Sequence, residues 1–370
     1  MLTLDGTAGR APAPVIPARI TDDAGRVWTI TRAWPGTDGA VTFEASSRQS
    51  PHVRGGRISA ADGAVLAPVG SDRGLPELAG LAATGTVVVH RPGRRAVVRT
   101  HDGSRYIKVV RPGRAESILN AAGRADAFAR GLGVAEILDR TPDSVHFAAL
   151  PGRTLHDLGS DVTVGAAAWT GLWDHWATAW TTVIGQTAAH MIAPERAHPA
   201  HAEIDVVHTW ATHAQRLTAS PGEAIVLAQT AERVTALLAH GMADGLVASH
   251  RDLHDKQLLW HDGAGLRLLD LDTATRAEAA LDLGNFAAHV ALRHRQGLWS
   301  AAKTRTAQGV VREVAATLAV SPERLHAYET AARFRITCVY AYRPAWAALA
   351  RRLHGELRDE LGPGVGGHRG

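Results

Sequence analysis

The chain has 370 residues, of which 45% are hydrophobic and 21% charged, and this composition excludes a largely disordered or fibrous protein. Its single cysteine, Cys338, excludes an internal disulfide framework and a cysteine zinc site. The formal net charge is +4 and the basic residues are scattered, which argues against a nucleic-acid partner. Without an apolar leader or a run of about 18 apolar residues, we expect a soluble, cytoplasmic protein with no membrane segment.

The N-terminal part is predicted to be rich in β-strands. Residues 1–19 are rich in Ala, Pro and Gly, which predicts a flexible arm. Strand-like segments at 26–31 and 40–45 are separated by Pro-Gly and Asp-Gly turns. We therefore expect a small β-rich cap module, with its connector, over residues 20–84.

A second group of strands follows and is interrupted by one helix. Three apolar, β-branched segments alternate with two short turns, which is typical of an antiparallel meander. The predicted strands are 86–90, 95–100, 105–110, 134–138 and 144–150, and the predicted helix is 115–131. Together they predict a compact lobe over residues 85–150.

The remaining chain, residues 151–361, is predicted to be mainly helical because its apolar residues recur at helical spacing. The predicted helices are 164–185, 202–218, 222–240, 281–296, 302–318 and 322–353, with short strands at 246–248 and 266–272. Four tryptophans at helical spacing are expected to form core: Trp169, Trp173, Trp176 and Trp180. Residues 362–370 are expected to be a frayed tail.

Polar residues that can carry chemistry concentrate in residues 249–286. Phosphoryl transfer from ATP needs a carboxylate beside the attacking hydroxyl, oxygen ligands for Mg²⁺ and a cation that orients the phosphates. Asp252 meets the first need, because it follows a short apolar strand. Gln257 and Asp270 meet the second, since amide and carboxylate oxygens suit Mg²⁺.

The lysines supply the cation. Only three of the 40 basic residues are lysines, so each is a candidate for chemistry that the planar arginine fork cannot perform. Lys108 lies inside a predicted strand and is the candidate for the phosphates. Lys256 lies close to Asp252 and either contacts the γ-phosphate or is solvated. Lys303 has no motif around it and is expected at the surface.

The segment around Asp252 resembles a known family. His250-Arg251-Asp252 followed by Gln257 resembles the catalytic loop H-R-D-L-x-x-x-N of the protein kinase-like fold. With His254 it is more similar to the aminoglycoside phosphotransferase and choline kinase branch, whose loop reads H-G-D-x-H-x-x-N. Residues 268–272 (LLDLD) resemble the I-D-F/W-D/E segment of that branch, and residues 281–283 (LDL) its D-L-A helix start.

This resemblance implies a two-lobed α+β protein kinase-like fold, with a β-rich small lobe and a mainly helical large lobe. It also implies ATP and Mg²⁺ as cofactors and a small hydroxylated molecule as the acceptor. Residues 145–155 resemble the interlobe hinge, which places Ala149 and Pro151 at the nucleotide. The strand lysine of this family pairs with an acid on the inserted helix, and both Glu116 and Asp126 are available.

The resemblance also assigns roles around Asp252. His250 is expected to be a buried organiser of the loop, and His254 either contacts phosphate or substrate or has a structural role. Asp282 is expected to hold the backbone amides of the loop. Asp272 is either a second acid of the site or a turn-stabilising residue.

Three features depart from the pattern of that branch. Gln257 replaces an asparagine, and maltokinase-like sugar kinases, which also carry an N-terminal cap, tend to have Gln there. Arg251 replaces a glycine. Residues 90–95 (HRPGRR) stand where a glycine-rich phosphate loop is often found, so Gly93 and the neighbouring amides are expected to cover the phosphates.

These residues predict an ATP-dependent O-phosphotransferase of a small molecule such as an aminoglycoside, an amino sugar, a sugar or a natural product. The helical part has few acids for a polycationic aminoglycoside, so a neutral acceptor is at least as plausible. The alternatives are a catalytically silent nucleotide-binding pseudokinase module and a maltokinase-like sugar kinase. A protein kinase is disfavoured, because His254 replaces the usual lysine and no A-P-E segment follows Asp270.

Overall fold

The computed structural model describes residues 15–37, 39–124, 126–188 and 197–362. Most of the predicted N-terminal arm and C-terminal tail lies outside the described residues. The predicted domain limits therefore stay predictions. Within the described ranges, no helix combines the length and apolar character needed to cross a membrane. The cytoplasmic location stays a prediction.

The first sheet is an antiparallel meander near the N-terminus, as the strand and turn signals predict. Its strands, in spatial order, are β1 (Arg19–Thr21), β2 (Val27–Pro35), β3 (Val41–Ser46), β4 (Arg54–Ser59) and β5 (Gly63–Leu66). Alternate residues such as Trp28, Ile30 and Phe43 are buried on one face. Gly56 on β4 lies against the Phe43 ring, and a Cβ there would clash with it. We call this sheet the cap sheet.

The second sheet carries Lys108 and has the strand order β10-β11-β8-β7-β6. Its elements, with the helices that accompany it, are α1 (Leu78–Thr84), β6 (Gly85–Arg91), β7 (Arg95–Thr100), β8 (Arg105–Val110), α2 (Ala115–Arg124), α3 (Asp126–Ala129), β10 (Ile137–Arg140) and β11 (Ser144–Ala148). Lys108 on β8 lies between Val97 on β7 and Val145 on β11. The predicted meander is confirmed.

Two predictions in this lobe need correction. The strand predicted over 134–138 is wrong, because the chain forms β9 (Gly133–Val134) in another sheet before it enters β10. The helix predicted over 115–131 corresponds to two helices, α2 and α3, and its last residues are not helical.

The larger lobe is helical and surrounds two small sheets. Its helices are α4 (Leu155–Ser160), α5 (Ala166–Ala188), α6 (Ala200–Gln215), α7 (Pro221–Ala239), α8 (Ala279–Arg295), α9 (Ala301–Thr317), α10 (Pro322–Ala341) and α11 (Ala347–Glu360). The four tryptophans of α5 are at most 1% exposed, which confirms that they form core. The single helix predicted over 322–353 is wrong, since Pro344 lies between α10 and α11 and cannot continue a helix.

The two small sheets position the polar segment. One sheet pairs β13 (Leu246–Ser249) with β16 (Thr275–Glu278). The other sheet combines β9 with β12 (Arg153–Thr154), β14 (Leu258–His261) and β15 (Gly265–Leu268). The spatial order of this second sheet is β12-β14-β15-β9. The strand predicted over 266–272 ends at Leu268, and β14 was not predicted. Residues 250–257 connect β13 to β14, and Asp270 follows β15.

Candidate active site

The loop at residues 250–257 is held by a buried carboxylate. Asp282, in the first turn of α8, accepts hydrogen bonds from the backbone N–H groups of His250 and Arg251, each at 2.7 Å. Burial raises the pKa of the Asp282 carboxyl, although these donors oppose the shift. The carboxylate fixes the start of the loop, which is the structural role expected for Asp282.

His250 joins the loop to the segment that carries Asp270. The imidazole is fully buried, and its Nε2 lies 2.7 Å from the carbonyl oxygen of Leu269. Its Nδ1 accepts the backbone N–H of Asp252 at 3.3 Å. These partners assign the proton to Nε2, because Nδ1 must be free to accept. His250 is therefore a positioning residue that orients Asp252.

Two residues of the site have left-handed backbone conformations. The φ angle is 69° at Arg251 and 55° at Asp270. Such a conformation costs a non-glycine residue roughly 1–2 kcal/mol, so the backbone is strained at Arg251 and Asp270. The backbone N–H groups of His250 and Arg251, which donate to Asp282, hold Arg251 in this conformation.

Lys108 reaches the acids that follow β15. Its Nζ lies 2.9 Å from Asp270 Oδ1 and 2.7 Å from Asp272 Oδ2, although Asp270 is 162 positions away in sequence. Arg95 approaches both carboxylates at 3.7 Å. Burial alone would raise the pKa of Asp270, but the charges of Lys108 and Arg95 hold it well below its usual range. Asp272 therefore shares Lys108 with Asp270, and its role as a second acid of the site stays a prediction.

The expected pairing of Lys108 with the inserted helix is not observed. Among the described residues, neither Glu116 nor Asp126 forms a salt bridge with Lys108. Glu116 lies at the start of α2 and lines the cavity between the lobes instead. Asp270 and Asp272 are closer to the lysine because the turn after β15 brings their carboxylates directly to its Nζ.

A cavity of about 780 Å³ lies between the lobes and receives the predicted catalytic acid. The side chain of Asp252 is 49% exposed. The larger lobe contributes three acids, whereas the β6–β7 turn contributes arginines and the start of α2 contributes both Arg114 and Glu116. The residues that line the cavity are Arg91, Arg94, Arg95, Val110, Gly113, Arg114, Glu116, Ser117, Ile118, Asn120, Asp252, Asp270, Asp272 and Thr273. A polyanionic ligand near a hydroxyl acceptor suits this arrangement.

The hinge segment follows β11 and is tightly packed. The backbone N–H of Ala149 donates to the carbonyl of Ser104 at 2.8 Å, and Pro151 has no N–H. Gly152 has a φ of 125°, and a Cβ there would lie 2.6 Å from the Trp260 carbonyl oxygen. Contact of Ala149 and Pro151 with a nucleotide stays a prediction. Neither residue has a free backbone N–H to donate to a nucleotide.

The turn between β6 and β7 is anchored by an acid that was not predicted. The carboxylate of Asp72 accepts the Gly93 N–H at 2.8 Å and lies 2.9 Å from His90 Nε2. Burial alone would raise the pKa of Asp72, but the hydrogen bonds from His90, Gly93 and Gly74 lower it below its usual value. The amide of Gly93 is therefore engaged, and its expected cover of the phosphates stays a prediction.

A buried ion pair beneath the loop was also not predicted. Both carboxylate oxygens of Asp255 accept hydrogen bonds from Arg293 on α8, at 2.8 and 2.9 Å. His156 Nδ1 lies 2.8 Å from the same carboxylate. Burial alone would raise the pKa of Asp255, yet Arg293 and His156 hold it far below its usual range. This pair attaches the loop to the core of the larger lobe.

His254 lies beside Asp252 without bonding to it. Its Nε2 is 3.9 Å from the Asp252 carboxylate, and its ring stacks on His289 at 4.6 Å. Ligand atoms of His254, Asp255 and His289 lie within 4.8 Å of one another, which is close enough for a metal ion. However, Arg293 occupies both oxygens of Asp255, so a cation is disfavoured there. Zinc was not expected from the sequence either.

The oxygen donors expected for Mg²⁺ suit that ion. Asp270 and Asp272 provide carboxylates next to the cavity. The backbone of Gln257 pairs with the segment before Asp270, because its carbonyl accepts the Leu269 N–H at 2.8 Å. Its side-chain amide nitrogen lies 3.5 Å from His254 Nε2, and the role of its amide oxygen as a metal ligand stays a prediction. Hard oxygen ligands of this kind fit Mg²⁺.

Lys303 has a structural role that was not predicted. Its Nζ donates to the carbonyls of Leu158, Gly159 and Asp161, at 3.2, 3.2 and 2.6 Å. These carbonyls lie at the C-terminal end of α4, where a cation satisfies free acceptors. Lys303 is partly exposed, so it lies near the surface as expected, but its contacts with these carbonyls were not predicted.

Comparisons with known proteins identify the fold. No model of a known protein family matches the sequence, and no curated protein matches it significantly. Among solved structures, the amicoumacin kinase hAmiN aligns with a TM-score of 0.52 and 13% identity over 75% of this chain and 89% of that one. The aminoglycoside phosphotransferase APH(4)-Ia aligns with a TM-score of 0.51 and 14% identity over 78% and 99%.

A third similar structure is the aminoglycoside phosphotransferase APH(3'')-Id from Streptomyces rimosus ATCC10970. It has a TM-score of 0.48 and 21% identity over 72% of this chain and 96% of that one. The two alignments above 0.5 confirm the predicted two-lobed kinase-like fold. The cap sheet precedes this kinase-like fold in the chain.

Proposed function

We propose that the protein is an ATP-dependent phosphotransferase that acts on a hydroxyl group of a small molecule. The observation that carries this proposal is the convergence of Lys108 and Asp270 at 2.9 Å beside the cavity that Asp252 enters. The amicoumacin kinase of similar fold is bound to AMP-PNP, Ca²⁺ and its small-molecule ligand, which supports nucleotide and divalent-cation use.

The proposed chemistry is an in-line transfer. The acceptor hydroxyl oxygen forms a bond to the γ-phosphorus while the bond from that phosphorus to the β-phosphate oxygen breaks, and ADP leaves. Asp252 accepts the hydroxyl proton. Lys108 and Arg95 orient the phosphates, and Asp270 with Gln257 would hold Mg²⁺. When bound, Mg²⁺ neutralises charge on the phosphates.

A catalytically silent nucleotide-binding module is disfavoured by the same geometry. The loop amides are bound by Asp282, and His250 orients Asp252. Preorganised groups of this kind support transfer as well as binding. The replacement of asparagine by Gln257 keeps an amide oxygen for the metal.

The proposal is tested by Asp252→Asn, with ADP release measured over a broad set of hydroxylated acceptors. We expect turnover to fall by about 10²- to 10⁴-fold, because a general base contributes roughly that factor. Binding of Mg²⁺–ATP should persist, since Asp252 is not needed for it. Asp359→Asn, at an exposed site on α11, is the matched control and should retain full activity. Unchanged turnover in Asp252→Asn would refute the assignment.

A further inference from the structure

Three guanidinium groups surround one tryptophan where the cap sheet meets both lobes. The Cζ atoms of Arg32, Arg91 and Arg343 lie 5.6, 5.3 and 5.6 Å from the ring centroid of Trp34. Arg32 and Trp34 belong to β2, Arg91 ends β6, and Arg343 follows α10. We call these four residues the Trp34 cluster.

The positive charge of the Trp34 cluster is not balanced by the acid beside it. Glu44 is 3% exposed and accepts bonds from Arg32 at 2.9 and 2.8 Å and from the His90 N–H at 2.7 Å. Within the described part of the chain, the guanidiniums of Arg91 and Arg343 have no hydrogen-bond or ion-pair partner, and Arg343 Nη1 is buried. Two cations therefore remain without a direct anionic partner, although the Glu44 charge acts on Arg343 from a distance.

The environment disfavours these two charges, yet both persist at neutral pH. Burial and the neighbouring Arg95, Arg94 and Arg32 lower the pKa of Arg91 to about 10. Burial and the charges of Arg32 and Arg91 lower the pKa of Arg343 to about 10 as well. Partly buried cations without partners destabilise a protein, and an anionic ligand relieves that repulsion.

The Trp34 cluster adjoins the candidate active site but is separate from its phosphate-facing cations. Arg91 lines the same cavity as Asp252. Arg95, on the next strand, approaches Asp270 and Asp272 at 3.7 Å. The arginines therefore form two groups, one beside the acids that would hold Mg²⁺ and the other on Trp34.

We propose that the acceptor is anionic: a hydroxylated molecule whose carboxylate or phosphate group binds Arg91 and Arg343 while its hydroxyl lies at Asp252. This inference rests on the proposed phosphotransferase function. The guanidinium fork matches both anions in geometry and charge. A polycationic acceptor is repelled by the same group of arginines. Arg91, the member of the Trp34 cluster that lines the cavity, would bring the anion to the cavity that also contains Asp252.

The test uses acceptors that differ mainly in charge: gluconate against sorbitol, glucose 6-phosphate against glucose, and glucosamine as the cation. With saturating Mg²⁺–ATP, we expect an acidic member to exceed its neutral partner at least tenfold in kcat/KM. A preference for gluconate over sorbitol would indicate a site for a carboxylate. A preference for glucose 6-phosphate over glucose would indicate a site for a phosphate. Arg343→Gln should abolish the preference, whereas Arg358→Gln, exposed on α11, is the control and should keep both the preference and the activity on the neutral acceptor.

Binding is measured separately with inorganic phosphate added to the complex with Mg²⁺–AMP-PNP. Phosphate should raise the melting temperature of the wild type and not that of Arg343→Gln. Without phosphate, Arg343→Gln should melt at the same or a higher temperature, because Arg343 has no direct anionic partner. A lower melting temperature, or no effect of phosphate on the wild type, would show a structural cluster and overturn the inference.

The two proposals fail in different ways. If glucosamine or a neutral acceptor is preferred and Arg343→Gln has no effect, the anion inference is wrong and the phosphotransferase function stands. If phosphate binds through Arg343 but no acceptor gives ADP, the anion site stands and the proposed function is wrong.

Discussion

His254 and His289 form a stacked pair beside the candidate general base. Burial lowers the pKa of His254 and lowers that of His289 well below 6.5, and nearby positive charges lower both further. Both rings are therefore neutral at pH 7. A neutral imidazole can still accept a proton, so this shift does not separate His254 from Asp252 as the base, and the role of His254 stays a prediction.

This pair predicts a pH dependence of stability. The unfolded chain binds protons on these histidines below about pH 6.5, whereas the folded protein does not. The free energy of unfolding should therefore fall as the pH decreases from about 7.5 to about 5.5. His289→Asn should make this fall smaller, measured by urea unfolding at both pH values. His101→Asn, in an exposed turn, should keep the wild-type pH dependence, and an unchanged dependence in His289→Asn would contradict the prediction.

Lysines illustrate the reach of sequence reasoning at the scale of single residues. Scarcity of lysine singled out Lys108, which lies beside the site acids. The same signal applies to Lys303, yet that residue binds carbonyls at the end of α4. Composition identifies candidates, but the partner of a side chain depends on the element packed against it.

The crossing of α8 and α10 depends on one glycine. A Cβ at Gly284 would lie 2.5 Å from the backbone nitrogen of Glu329 and 2.8 Å from the carbonyl carbon of Tyr328. Neither backbone atom can move without shifting α10. The crossing keeps Asp282 and Asn285, which bind the catalytic loop, in place.

We therefore expect Gly284→Ala to destabilise the protein by about 1–3 kcal/mol, as overpacking of a core does. Gly171→Ala is the matched control, because Gly171 lies inside α5 with open space at its Cβ position. That control should be neutral or stabilising by roughly 0.5–1 kcal/mol. Urea unfolding measures both, and a neutral Gly284→Ala would show that α10 can move away.

Elements with local signals were predicted well. The turns on either side of β7 mark both ends of this strand, and β8 matches its predicted limits. The break between α10 and α11 was missed although Pro344 marks it. Periodicity alone did not resolve β9 from β10, because their separation depends on pairing with different sheets.

The cap sheet connects the two lobes of the molecule. On the small lobe, the Val53 N–H donates to the Val87 carbonyl at 2.9 Å. On the large lobe, the Ala33 N–H donates to the Tyr342 carbonyl at 3.0 Å, and the Tyr342 ring packs in the cap core. The cap sheet therefore has its own hydrophobic core, which Tyr342 of the larger lobe joins, and it contacts both lobes.

We expect Trp28→Ala to test this connection. Trp28 is 1% exposed in the cap core, so its truncation should lower the free energy of unfolding by about 3–5 kcal/mol. The loss should appear in one transition that circular dichroism and tryptophan fluorescence report together. Val27→Ala, at a 49% exposed site on the same strand, should stay within about 0.5 kcal/mol. Separate transitions would indicate an independent cap.

The sequence by itself determined the loop that carries Asp252, the strand that carries Lys108 and the division into a β-rich and a helical part. These features depend on neighbours within a few residues, so spacing and periodicity report them. Only the tertiary structure decided the ion pair of Asp255 with Arg293, the anchoring of Gly93 by Asp72 and the meeting of arginines at Trp34. Those contacts join distant segments, and their geometry follows from how the lobes and the cap sheet pack, which no local pattern encodes.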